Sequence, residues 1–135
     1  MTRRSPIRVS KFVLALLLLF AVPAFAGEDS DVESQKVRYL IASIETLQNA
    51  QFIRNGKAYD EKQAADHLRL KLRRAGDRCQ TADDFIRYCA SASSMSAKPY
   101  QIRFANGEQV LTEKFLREKL AEFKPGAGDE QSKNE

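Results

Sequence analysis

The sequence predicts a single small α+β domain, with four helices and two short Asn-Gly β-hairpins in the order α-ββ-α-α-ββ-α. Three observations lead there. Apolar residues recur at three-and-four spacing in four separate stretches, the mark of an amphipathic helix. Two Asn-Gly pairs, Asn55-Gly56 and Asn106-Gly107, each interrupt short runs of strand-forming residues. The third is size: behind a 26-residue leader, 109 residues remain, enough for one domain burying about two-thirds of its unfolded surface.

The leader is read from Arg3, Arg4, Arg8 and Lys11, the apolar run Phe12 to Val22, and Ala24-Phe25-Ala26 as the small-x-small cleavage pattern. This is a signal peptide of the general secretory type at residues 1–26, cut after Ala26. The expected location is therefore the periplasm or the cell exterior. The apolar run has 11 residues, short of the ~20 a spanning helix needs, and no second such run follows, so no membrane span is expected after cleavage. All 18 acidic residues and 18 of the 22 basic ones lie beyond position 26. The remaining chain is neutral, which argues against a nucleic-acid partner.

Residues 27–36 are polar and acidic and read as a flexible entry to a globular part at 37–124. Val37, Leu40, Ile41, Ile44 and Leu47 mark one face of the first helix, ending near Asn49. Gln51–Arg54 and Lys57–Tyr59 are the arms of the first hairpin. Asp60 is an N-cap, with Gln63 completing a capping box, and the second helix runs to Ala75 with Gly76 as its stop. Thr81 caps a third helix with inner residues Phe85, Ile86, Cys89 and Ala90. Ser91–Lys98 is a loop, after which Tyr100, Ile102 and Phe104 alternate into the second hairpin, returning at Val110-Leu111. Thr112 caps the last helix, with Phe115, Leu116, Leu120 and Phe123 inward; Pro125-Gly126 ends it, and 125–135 read as a disordered tail.

Two blocks, "FIRNGKAYDEKQAADHLRLKLRRAGDR" and "TADDFIRYCASASSMSAKPYQIR", resemble an uncharacterised family of small exported bacterial proteins, a domain of unknown function. The likeness covers residues 36–124. The family's pattern has Gly in "SGKPY" where this chain has Ala97, at a turn that wants positive φ. The resemblance implies no activity, cofactor or site.

Few residues suggest chemistry. His67 is the chain's single histidine, about 100° around the helix from Leu68, with Lys71 and Arg74 on its side. No Asp or Glu stands three or four residues from it, so a metal site is not expected, and no cofactor motif occurs. A hydrolytic arrangement would join His67 to a serine of the 91–96 loop such as Ser94, with Asp60 orienting the ring. The alternative is an edge histidine with a packing role. Leu70, about 160° from the buried stripe, is either an exposed leucine or a sign that the helix is covered on two sides. The basic residues Arg69, Lys71, Arg73, Arg74 and Arg78 spread around that helix.

If the hairpins lie side by side, Arg54, Tyr59, Lys98 and Tyr100 border a groove suited to a peptide or glycan with acidic groups. The functional expectation is a non-enzymatic binding or interaction module taking an envelope protein, peptide or glycan, with the small hydrolase as the alternative. Cys79 and Cys89 are the two cysteines. A straight helix carries Cys89 about 12 Å beyond Thr81, so a disulfide between them requires a bent approach or a shorter helix.

Overall fold

The computed structural model describes residues 26–126; the expected signal peptide, except Ala26, and the expected tail from 127 onward lie outside the described residues. The fold is α+β: α1 (Ala26–Glu45), β1 (Gln51–Arg54), β2 (Lys57–Tyr59), α2 (Glu61–Ala75), α3 (Ala82–Asp84, continuing as a π turn over Phe85–Ala90), β3 (Gln101–Arg103), β4 (Gln109–Leu111) and α4 (Thr112–Glu122). The strands form one antiparallel sheet in the order β2-β1-β3-β4, so the two hairpins do lie side by side.

Register decides which side chains face the helices. Phe52 pairs with Ile102, and Ile102 with Val110; these three share one face and meet the core formed by Leu40, Ile44, Leu68, Phe85, Ile86 and Leu116. Tyr100 and Arg54 lie two residues along from Ile102 and Phe52, on that same inner face. Extending the β1–β3 register by one step sets them opposite each other.

Local signals held where the chain's own geometry settles them. Asn55 (φ 51°) and Gly56 (φ 78°) both take the positive φ of a type I′ turn. The Asp60 side chain accepts from Gln63 N–H at 2.7 Å, and Gln63 Oε1 accepts from Asp60 N–H at 3.2 Å, a box contributing about 1 kcal/mol. Gly76 ends α2 at φ 52°.

Four expectations need correction. Residues 27–36 are helical rather than flexible, because the Glu33 carboxylate pairs with Lys36 and accepts Ala82 N–H at 2.7 Å, anchoring that part of α1 to the start of α3. The third helix does not stay α-helical: it widens into a π turn from Phe85, and Ser91 Oγ donates to Ile86 O at 2.6 Å. The second hairpin lacks a two-residue turn. Only Gly107 has positive φ, and the loop closes through Phe104 N–H to Glu108 O at 2.8 Å. Finally, Thr112 is the first residue of α4, not its cap; it is fully buried and its Oγ1 has no hydrogen-bond partner.

The Ser91–Lys98 loop folds back on itself, with Ser93 N–H bonded to Lys98 O and Ala97 N–H to Ser93 O. Ala97 sits at φ 55°, the left-handed region where a Cβ is unfavourable. The turn keeps the backbone that glycine would adopt without strain. Ala97→Gly should therefore stabilise the fold by about 0.5–1 kcal/mol, read as a higher midpoint in urea unfolding. An unchanged or lower midpoint would show that the loop relaxes freely around the methyl.

Candidate functional site

One cleft of about 670 Å³ opens between α2, the end of β1, the π turn and the 91–98 loop. Each wall follows from a local rule. His67, Lys71, Arg74 and Arg78 are spaced four, three and four apart, so they climb one face of α2 and continue onto the 3-10 turn Gly76–Arg78 that follows it. Arg54 arrives from β1 because it alternates with Phe52, and Tyr100 arrives from the facing strand. Tyr88, on the π turn, and Met95, on the loop, stand at the cleft 52% and 98% exposed. The loop is held to the first hairpin by Ser96 Oγ donating to Asn55 Oδ1 at 2.6 Å and by Asn55 Nδ2 donating to Ser93 Oγ at 3.4 Å.

At the cleft's inner end the Tyr100 hydroxyl joins two elements. Lys71 Nζ donates to it at 3.3 Å and to Ala92 O at 2.8 Å, while standing 4.9 Å from the Tyr100 ring centroid. His67 Nε2 lies 3.3 Å from the same oxygen. Arg54 Nη1 is 2.9 Å from His67 Nδ1 and 3.1 Å from Nε2. One Nη1 that close to both ring nitrogens lies over the face of the imidazole rather than in its plane, and a guanidinium held there favours the uncharged ring.

Electrostatics point the same way. Burial first, then the charges of Arg54, Lys71 and Arg74, push His67 down to about 4. Burial lowers Lys71 as well, with Arg54 adding to the shift, and burial raises Tyr100, which keeps its phenol protonated. Arg54, Lys71, Arg74 and Arg78 form no ion pair within 4.0 Å of any carboxylate among the described residues. Asp84 is the carboxylate in the lining, and it is engaged by the backbone N–H groups of Gln80 and Thr81, each at 3.2 Å. Four cations thus share one cleft with a neutral histidine and an occupied carboxylate.

Of the residues expected to form a groove, Arg54 and Tyr100 are brought together, although Tyr100 is 1% exposed and forms the cleft's floor more than its edge. Tyr59 lies behind Arg54, whose guanidinium stands 5.5 Å from its ring centroid. Lys98 is exposed and does not line the cleft. His67 and Ser94 share the cleft but no hydrogen bond joins them, since the imidazole nitrogens are engaged by Arg54 and Tyr100. Asp60 is occupied as the cap of α2 and does not orient the ring. Among the described residues no Ser–His–Asp relay is assembled around His67.

The basic residues of α2 also divide. Arg69 turns to Glu45 and Asp66, and Arg73 is exposed, whereas Lys71, Arg74 and Arg78 converge. Their spacing from His67 was the signal that the stripe existed; Tyr88 gave no such signal, because the π turn sets its direction. Leu70 is half-buried and stays outside the core. Among the described residues no three His, Cys, Asp or Glu side chains converge as metal ligands, and no helix is long and apolar enough to cross a membrane.

The chain belongs to a family of unknown function, DUF5329, whose model matches residues 31–124. It is 36% identical over 93 residues to a Salmonella typhimurium protein named uncharacterised protein YfeK, covering 68% of this chain and 77% of that one. No solved structure matches it.

Proposed function

We propose that this family member is an exported binding module of the bacterial envelope whose cleft takes a carboxylated peptide or glycan. The observation that carries the reading is the set of four cations without ion-pair partners among the described residues, around one concave site. Like charges so placed repel one another, and an anion that enters relieves that repulsion while gaining charge-assisted hydrogen bonds. The exposed Tyr88 and Met95 offer apolar surface beside the charge, matching a ligand with a sugar ring or aliphatic segment next to its carboxylate. His67 and Tyr100 hold Arg54 and Lys71 in place rather than transferring protons, since a histidine near pKa 4 is a poor base at neutral pH. Export rests on the basic leader, its apolar run and the Ala24-Phe25-Ala26 pattern.

The protein recovered from a periplasmic extract should have the mass of residues 27–135. Titrated calorimetrically with N-acetylmuramic acid, it should bind more tightly than it binds uncharged N-acetylglucosamine. Arg74→Ala should weaken the acidic sugar about tenfold, the cost of one charge-assisted contact, and leave the neutral one unchanged. Equal affinity for the two sugars, with no effect of Arg74→Ala, would remove the anion site; recovery of the uncut chain would remove export.

A further inference from the structure

We propose that Cys79 and Cys89 form an intramolecular disulfide that ties the turn after α2 to the π turn of α3. Both side chains enter the same core: Cys89 is 1% exposed within it, and Cys79 packs against it from the turn, half-exposed. The straight-helix distance that separates them does not apply. Cys79 N–H bonds back to Gly76 O at 3.0 Å, and Gln80 and Thr81 fold onto Asp84, which returns the chain along α3. From Phe85 the π turn packs more residues into each turn than an α-helix does, so it gains less length before Cys89. Both thiols consequently come to the same side of the core as neighbours, each bearing on the other's titration.

Each cysteine directly follows a cleft residue, Arg78 or Tyr88. The bond therefore links two cleft walls, whether or not the cleft takes an anion.

The step is thiol–disulfide exchange with an external disulfide, either a small molecule or a protein oxidant. Cys79, the accessible partner, loses its proton and attacks one sulfur of that disulfide, expelling a thiolate and forming a mixed disulfide. The Cys89 thiolate then attacks the Cys79 sulfur and releases the second thiolate. The protein gives up two protons and two electrons, and the external disulfide becomes two thiols. Burial, with the neighbouring thiol, pushes Cys79 up to about 12, and burial raises Cys89. Few thiolates form in the folded state, so the bond is structural rather than a rapidly cycling redox pair.

The test uses the full chain, refolded with oxidised and reduced glutathione, then denatured and alkylated without reductant. Intact mass should show a monomer two hydrogens lighter than the reduced chain and without alkyl groups. Its thermal midpoint should exceed that of the same protein kept reduced by about 10 °C. Two alkyl groups on each monomer, a retained glutathione adduct, or a bond found between chains would each overturn the proposal.

Discussion

Tyr100→Ala should lower the stability of the domain by about 3–5 kcal/mol, the cost of emptying a buried aromatic site. Tyr100 is among the largest fully buried side chains, at 1% exposure. Its ring meets Phe52 at 5.1 Å between centroids and His67 at 6.0 Å, so the cavity would open between sheet and α2. Removal also takes the acceptor from Lys71 and the partner from His67. Tyr100→Phe separates the two effects: it keeps the ring and deletes the hydroxyl, and should cost about 1–2 kcal/mol through the polar groups left behind. Urea unfolding of the three proteins reads both numbers. A loss below about 1 kcal/mol for Tyr100→Ala would mean that Tyr100 is not a core residue at all. If Phe proved neutral while Ala cost the full amount, the hydroxyl would have no part in holding Lys71 and His67.

Tyr100 also shows what could be read in advance. Its alternation with Ile102 and Phe104 set all three on one face of the strand, because strand periodicity is a property of consecutive residues, but the expected groove edge proved to be a buried floor. Asn55-Gly56, the Asp60–Gln63 box and Gly76 were legible for the same reason, each being settled within a few residues. Features that failed depend on distant parts of the chain. The polar segment 27–36 has no apolar stripe to announce a helix, yet Glu33 finds Ala82 some fifty residues away. Thr112 resembles a cap by composition, but packing between β4 and α4 buries it and makes Leu111 the boundary. The π turn at Phe85–Ala90 leaves no local signature and alone directs Tyr88 to the cleft and Cys89 to Cys79. The site was half visible. Spacing along α2 held Lys71 and Arg74 beside His67, whereas Arg54 reached them only through the β1–β3 register.

That encounter has a consequence for acid stability. His67 faces Arg54 from β1, Lys71 and Arg74 from its own helix, and the phenol of Tyr100 from the facing strand. No carboxylate among the described residues contacts the ring. Well above pH 6.5 the imidazole is neutral in both the folded and the unfolded chain, and it contributes no pH dependence. As pH falls below that value, the unfolded chain takes up the proton while the folded site refuses it until about 4. The unfolded state then binds more protons, so stability declines with falling pH across this window. The full shift converts to about 3 kcal/mol, and because the ring is part-exposed, solvent screening reduces the expected loss to about 1–2 kcal/mol. His67→Gln keeps a polar side chain but removes the titration. The stability lost between pH 7 and pH 4.5 should be about 1–2 kcal/mol smaller in that variant, with Glu33 and Glu45 contributing alike to both proteins. Parallel pH profiles for the two proteins would show that the imidazole accepts its proton in place, by the swing of Arg54 away from the ring, and that the cleft's cations are not held in the arrangement seen here.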